Sequence, residues 1–365
     1  MMFNERFKNK KVLITGHTGF KGSWLTLWLS FEGADLYGIS KDIPTKPSMF
    51  EALNLKDIIT SYFVDLANTK ETQQIISKIK PDFIFHLAAQ PIVRESFINP
   101  AETWMSNTFG TISVLESLKD LENNCVCIFI TSDKAYDNVE WVWGYRETDR
   151  LGGKDPYSAS KAGAELAISS YFHSYLQFKP NIKIGIGRAG NVIGGGDWAD
   201  SRIVPDAVRS WAKEVPVTLR NPKSTRPWQH VLEPLSGYIA LAIALNESNN
   251  LNGEAFNFGP PSEMNFSVEK LIDEMTNHWK GSKWEKTTNN MEIKEANLLK
   301  LNCDKALFHI GWCSVWDFNQ TVEETIKWYH TFYTNQTTID LLDLTSRQIE
   351  AFIFKAQEKN QKWTK

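Results

Sequence analysis

Cysteine is scarce. The 365 residues hold four, Cys125, Cys127, Cys303 and Cys313, and no two form a CxxC pair. Cys125 and Cys127 stand in an apolar run that reads as a buried strand. The four therefore read as reduced core thiols of a cytoplasmic protein and not as a disulfide framework. No histidine stands with carboxylates at a metal-ligand spacing, so no metal is expected. No apolar run approaches the ~20 residues that span a bilayer. The stretch Met1 to Lys11 is polar and charged, unlike a secretory signal. A net charge of −3 gives no electrostatic reason to expect nucleic acid or an anionic membrane as partner. Internal repeats and low-complexity tracts are also missing.

What is present suits a folded body of enzyme size. Hydrophobic residues make up 42% and charged residues 23%. The length suggests two domains, or one large domain with a smaller lobe. Fourteen tryptophans point to stacking surfaces or to a large aromatic core.

Lys11-Val12-Leu13-Ile14-Thr15 is a short apolar run that reads as a buried strand. Gly16-His17-Thr18-Gly19-Phe20-Lys21-Gly22 follows, then an apolar helix from Ser23 that stops by Gly33. Strand, glycine-rich turn and helix form the context in which such glycines bind a dinucleotide. Gly16 permits the tight turn, Gly19 the approach of a pyrophosphate to the helix N-terminus, and Gly22 close helix–strand packing. The next strand runs from Asp35 to Ile39. An acid for a ribose 2′-hydroxyl is expected near its end. Ser40-Lys41-Asp42 stands there instead, with the acid displaced and a lysine intruding, so this feature alone leaves NAD or NADP open. Val64-Asp65 ends a third strand, with Asp65 placed either for the adenine edge or as a loop cap. A fourth strand reads as Asp82 to Gln90, ending in the small residues Ala88 and Ala89, which leave room for a ligand. A helix is expected from Thr103 to Leu118, with Asn107 inside it. Cys125 to Thr131 is the next strand, and Ser132-Asp133-Lys134 follows it. The loop Trp141 to Arg146 is aromatic, basic and glycine-bearing, consistent with a lid. Ile182 to Ile186 is a further strand.

The alternation predicts a doubly wound parallel α/β sheet. From Arg188 onward the segments turn irregular and rich in proline and arginine, as in a smaller mixed α/β lobe. The expected division is 1–187, with returning segments near 228–258, for the sheet domain, and 188–227 with 259–365 for the lobe. Arg226-Pro227-Trp228-Gln229-His230 stands out there, because an arginine fork binds a diphosphate at two points. The tail from Asp317 to Trp363 reads as helical packing, with apolar spacing at Leu341, Leu344, Ile349, Phe352 and Ile353.

The chemistry centres on Asp155-Pro156-Tyr157-Ser158-Ala159-Ser160-Lys161. Asp155 is a suitable N-cap and Pro156 a suitable first helical residue. Tyr157 and Lys161, four apart, share one helix face. A cation beside a phenol favours the phenolate. A tyrosine so tuned can take a proton from a sugar hydroxyl and return it.

With Ser132, Tyr157, Lys161 and the glycine turn together, the chain resembles the extended short-chain dehydrogenase/reductase family, whose GxxGxxG spacing it shares. It is closer still to the CDP-glucose 4,6-dehydratases. The stretches that carry this are GHTGFKGSWL, HLAAQP, TSDKAY, WVWGYRE, DPYSASKAGAE, GRAGNVIGGGDWA and RPWQHV. The resemblance implies a Rossmann-type domain holding NAD, a C-terminal lobe holding a nucleotide sugar, and a homodimer or homotetramer. It implies that NAD lies along Gly16, Thr18, Gly19, Phe20, Lys21, Gly22, Asp65, Leu66, Leu87, Ala88, Ala89, Gln90, Asn107, Tyr157, Lys161 and Arg188. It places the nucleotide sugar among Arg94, Asn191, Arg202, Arg220, Arg226 and His230. Ser132, Asp133, Lys134, Tyr157 and Lys161 are then catalytic. Tyr157 takes the C4 hydroxyl proton, Lys161 lowers its pKa, and Ser132 bonds the same oxygen. Asp133 is expected as the protonated acid for the C6 hydroxyl and Lys134 as the base for C5–H. Two other readings share parts of this pattern: a dehydratase or 4-epimerase for another nucleotide sugar, and a non-catalytic NAD(P)-sensing protein.

Overall fold

The computed structural model describes residues 6–286, 298–334 and 338–365. The first five residues of the polar N-terminal stretch, and three within the tail, lie outside them.

Six strands follow the alternation of the sequence: β1 Lys11–Thr15, β2 Asp35–Ser40, β3 Thr60–Phe63, β4 Phe83–His86, β5 Cys125–Ile130 and β6 Ile182–Ala189. A seventh, Ala255–Phe258, joins at the far edge. The order is Ala255–Phe258, β6, β5, β4, β1, β2, β3, and every pairing in the sheet is parallel. The order reverses between β1 and β4. In such sheets a crevice opens there, beyond the carboxyl ends of the strands.

Strand side chains alternate between two cores, as a period of two requires. Val12, Ile14, Phe83, Phe85, Val126 and Ile128 enter one, with the helices Phe20–Phe31 and Leu232–Glu247. Leu13, Ile84, Cys127, Phe129 and Ile184 enter the other, with the helices Thr69–Ile79, Gly110–Asp120 and Pro156–Ser174. Cys125 and Cys127 are thus unpaired core residues. Among the described residues no helix is long and apolar enough to cross a membrane, and no group of histidine, cysteine and carboxylate side chains is placed to hold a metal.

Beyond β6 the chain makes short paired strands. Val192–Ile193 runs parallel to Gln229–His230, Thr225–Arg226 antiparallel to Phe266–Ser267, and Val217–Leu219 parallel to Trp284–Lys286. Two helices follow, Phe318–Thr334 and Thr338–Glu358. The last helix packs on the helix after β1, with the Trp28 ring 5.9 Å from Phe352 and 5.8 Å from Trp363. Trp24, Trp28, Trp312 and Trp328 are fully buried, so much of the tryptophan content builds an aromatic core.

Two elements differ from the sequence expectation. The fourth strand ends at His86, and Leu87–Gln90 turns into the crevice. The helix around Asn107 begins at Pro100 and widens into a π turn over Met105–Phe109 before continuing from Gly110. Such turns recur at functional sites because they re-aim one side chain.

The Pro156–Ser174 helix is fixed to the sheet by Glu165. Its Oε1 accepts the Thr131 hydroxyl at 2.6 Å, and its carboxylate pairs with the Arg188 guanidinium, whose Nε lies 2.8 and 3.0 Å from the two oxygens. Both charged side chains are buried. Removing one partner strands the other charge in a dry interior, at a cost of about 3–5 kcal/mol. Glu165→Ala is therefore expected to lower unfolding free energy by that amount in a urea titration; a loss under about 1 kcal/mol would show that the pair does not hold the helix.

Candidate active site

Four strand ends and one helix meet in the crevice. The turn after β1 comes first. Gly16 has φ +74° and donates its N–H to Ile39 O at 2.7 Å. A Cβ on Gly16 would stand 2.8 Å from the Ala88 Cα and N, and one on Gly22 would stand 2.1 Å from Gly16 O. The turn is thus a bare backbone surface pressed against the segment after β4, with Gly19 as N-cap of the Phe20–Phe31 helix. A backbone-only cradle at a helix N-terminus fits a dinucleotide pyrophosphate. The His17 ring packs against Gly38, where a Cβ would stand 2.3 Å from it, and is held by Ser40 at 2.9 Å and Ser61 at 2.8 Å. Burial pulls its pKa down to about 4, so it is a neutral spacer. Thr18 donates its hydroxyl to Asp42 O at 2.6 Å.

Lys41, the intruding lysine, is paired with Glu102 at 2.7 Å and Asp65 at 3.1 Å. These hydrogen bonds raise its pKa. Burial pushes the Asp65 carboxyl up, but the Ala67 N–H and Lys41 more than offset that and it ends lower. A 2′-phosphate here would meet two carboxylates, so the pocket fits NAD. Leu66 is buried beside Gly110, while Leu87, Ala88, Ala89 and Gln90 are half-buried along the crevice. Asn107, aimed by the π turn, accepts the Gln90 N–H at 2.7 Å. It donates to Gln90 O at 3.1 Å and to Ser160 Oγ at 2.8 Å. One amide therefore ties the end of β4 to the helix that carries Tyr157. The sequence offered Asn107 but gave no sign of its partner Ser160, 53 positions on.

The reacting groups sit at the end of β5. Asp155 caps the helix, accepting the Ser158 N–H at 2.9 Å, and Pro156 opens it. Tyr157 and Lys161 then face Ser132–Lys134 across the crevice. Ser132 Oγ donates to Asp133 Oδ1 at 3.0 Å and accepts the Lys134 N–H at 3.2 Å; it also lies near enough to Tyr157 to pull the phenol's pKa down. Lys134 Nζ lies 5.9 Å from the Tyr157 ring centroid. Lys161 Nζ contacts Ile130 O at 3.5 Å.

Burial dominates the electrostatics. It pushes the Tyr157 phenol up to about 12, against the pull of Ser132 and Arg202. It draws Lys161 down to about 8, with Glu165 opposing. The sequence reading gave Lys161 the task of lowering the tyrosine. Ser132 and Arg202 exert a downward pull on it. Burial also raises the Asp133 carboxyl, against Lys134, Ser132 and Arg226. Its second oxygen, Oδ2, is buried with no hydrogen-bond partner and faces Gly190, where a Cβ would come within 2.9 Å. Burial of that oxygen favours the protonated form of the carboxyl.

Several further side chains arrive here. Arg202 pairs with Asp197 at 2.7 Å, and its charge reaches Tyr157 and Lys21. Arg226 acts on Asp133. Asn191 is half-buried just after β6. Lys21 directs its ammonium over the Tyr238 ring at 5.9 Å, and burial, Arg202 and Lys161 pull its pKa down to about 7. Tyr238, which the sequence did not single out, is fully buried with an unpartnered hydroxyl within electrostatic reach of Tyr157 and Asp133. It has no motif around it and is recognisable only in three dimensions.

Other expected residues stand elsewhere. Arg188 is a buried brace: besides Glu165 it bonds Tyr136 Oη at 2.7 Å and Glu147 O at 3.0 Å. His230 is enclosed between Trp24 and Trp316, with ring centroids at 5.6 and 4.7 Å, and burial lowers its pKa to about 3. Arg94 and Arg220 are exposed. In the loop expected as a lid, Tyr145 is buried, stacked on Tyr136 at 5.0 Å and bonded to Lys300 O at 2.9 Å. Val142 and Trp143 at its tip remain exposed.

Comparison with known proteins agrees with this geometry. Residues 13–325 match the family model described as GDP-mannose 4,6 dehydratase. The chain is 43% identical over 358 residues to CDP-glucose 4,6-dehydratase of Salmonella typhimurium, covering 96% of this chain and 99% of that protein. It is 26% identical to CDP-paratose 2-epimerase of Salmonella typhi, over 72% of this chain and 82% of that one. Among solved structures, UDP-glucose 4-epimerase of Stenotrophomonas maltophila with bound NAD superposes with a TM-score of 0.77 at 19% identity, covering 89% and 99% of the two chains. dTDP-glucose 4,6-dehydratase of Bacillus anthracis in complex with NAD gives 0.71 at 19%, covering 88% and 97%. At such identities the structures share the fold. The family match and the long 43% alignment place the chain, by sequence, in the GDP-mannose 4,6 dehydratase family of extended short-chain dehydrogenases/reductases, to which it belongs.

Proposed function

We propose that the protein is an NAD-dependent CDP-glucose 4,6-dehydratase that forms the 4-keto-6-deoxy sugar and water. One observation carries this beyond a general nucleotide-sugar enzyme: the buried Asp133 carboxyl, its Oδ2 without a hydrogen-bond partner and its pKa raised by burial. Epimerisation at C4 has no leaving group and no use for a protonated acid there, whereas loss of the C6 hydroxyl requires one. The choice of CDP-glucose is supported by the 43% identical relative.

NAD, when bound, supplies the two-electron chemistry, accepting hydride from C4 and returning it at C6. The chain supplies the rest. The glycine turn and the Leu87–Gln90 segment hold the dinucleotide. Arg202 and Arg226 provide cations for the substrate's diphosphate. Tyr157 takes the C4 hydroxyl proton, with Ser132 bonding the same oxygen. The resulting ketone acidifies C5–H, Lys134 removes that proton, and Asp133 protonates the departing hydroxyl. Free thiols at all four cysteines support a cytoplasmic location.

A homodimer has a candidate surface. Phe97, Ile98, Trp104, Met105, Phe109 and Leu166 are exposed. Trp104 lies against Gly163, one turn before Leu166, so part of the set shares one helical face. Exposed apolar patches of this kind mark interaction sites. Phe109→Glu with Leu166→Glu is expected to give monomers in analytical ultracentrifugation; an unchanged mass would place the contact elsewhere.

A panel of nucleotide sugars, assayed for keto product, tests the substrate assignment: CDP-glucose should be dehydrated well ahead of its dTDP, UDP and GDP counterparts, and preference for any of those overturns it. Tyr157→Phe keeps the ring and removes the proton acceptor. Its kcat should fall about 10²–10⁴-fold with substrate binding retained, and near-normal turnover would assign the base to another residue.

A further inference from the structure

The proton balance of this reaction leaves one demand unmet. Tyr157 gains the C4 hydroxyl proton. The C5 proton goes to Lys134 and returns to C5 as hydride reaches C6. Asp133 gives a proton to the C6 hydroxyl, the C6–O bond breaks, and water leaves. The sugar has then lost only water, but Tyr157 is one proton up and Asp133 one down. Each turnover must move a proton from the phenol to the carboxylate.

Bulk solvent is a poor route for it. Tyr157 is 8% exposed, Ser132 7% and Asp133 3%. Between the two sites stands one hydroxyl. On one side Ser132 stands close enough to the Tyr157 phenol to pull its pKa down, and on the other its Oγ donates to Asp133 Oδ1 at 3.0 Å. The Lys134 N–H, donating to the same oxygen at 3.2 Å, fixes its position. The open Oδ2 lies on the far side of the carboxyl, beside Gly190.

We propose that Ser132 is the proton relay that resets the enzyme, passing the proton taken from the C4 hydroxyl from Tyr157 to Asp133. The Tyr157 O–H bond breaks as a new O–H forms on Ser132 Oγ, and the original serine O–H breaks as its proton joins Asp133 Oδ1. No net charge or electron enters or leaves the trio. A half-turn of the carboxyl then exchanges its two oxygens, so that the proton again sits on the unpartnered one for the next leaving hydroxyl. This role goes beyond the hydrogen bond to the C4 oxygen and rests on the acid assignment of Asp133.

The test is kcat of wild type, Ser132→Ala and Ser132→Thr, measured while a small buffer acid is raised at constant pH and ionic strength. Wild type and Ser132→Thr keep a hydroxyl and should be insensitive to buffer. Ser132→Ala should lose about 10²–10⁴-fold and regain about tenfold as the small acid supplies the missing transfer. Ser132→Gly makes the same comparison should the alanine variant fail to fold. A loss that no buffer relieves, or equal buffer dependence in Ser132→Thr, overturns the relay. Asp133→Asn separates the two claims. If it still eliminates water at the normal rate, the acid assignment falls and the relay with it. If it does not eliminate while Ser132→Ala ignores buffer, the relay alone falls.

Discussion

Glu165 is the residue on which the active site depends, although it touches no reacting atom. It lies one turn beyond Lys161 on the same helix. Its carboxylate receives the Thr131 hydroxyl, from the residue just before Ser132, and the Arg188 guanidinium from β6. One buried charge thus ties the helix bearing Tyr157 and Lys161 to the strand end bearing Ser132, Asp133 and Lys134. The Asn107 amide makes a second tie on the cofactor side, between Gln90 and Ser160. Proton transfer requires placement to within fractions of an ångström, and buried hydrogen bonds fix position better than apolar packing does.

The same burial biases the protonation states. A dry crevice disfavours charge on phenol, carboxyl and ammonium alike, so Tyr157 and Asp133 move up while Lys161 and Lys21 move down. For Asp133 the shift runs toward the protonated form that an acid needs. For Tyr157 it opposes the phenolate. The site answers with cations, of which Arg202 is the strongest pull among the protein's own groups and Lys161 stands close by. Charge brought in by the substrate and by the nicotinamide ring then falls on groups that are poorly screened.

The architecture was largely legible in the sequence because its signals are local. Short apolar runs gave β1, β2, β5 and β6, and Asp155-Pro156 marked the helix start to the residue. The four-residue spacing put Tyr157 and Lys161 on one face. What escaped was long-range. Arg188 reads as a cation near a ligand, and only the fold supplies Glu165, Tyr136 and Glu147 as its partners. His230 reads as part of a binding motif until Trp24 and Trp316 close around it. The early end of β4 and the π turn at Asn107 depend on each other, since Asn107 holds Gln90 out of the strand, and no local pattern encodes that. The tail's packing on Trp28 likewise needs both ends of the chain at once.

The central claim is that C4 oxidation, elimination and reduction at C6 occur on one bound sugar. CDP-glucose carrying deuterium at C4, turned over in ordinary water, tests it most directly. Carbon-bound hydride does not exchange with solvent, so nuclear magnetic resonance should find the deuterium at C6 of a 4-keto-6-deoxy product. Deuterium retained at C4 of a sugar that keeps its C6 hydroxyl would contradict dehydration, and deuterium lost to water would contradict the internal transfer.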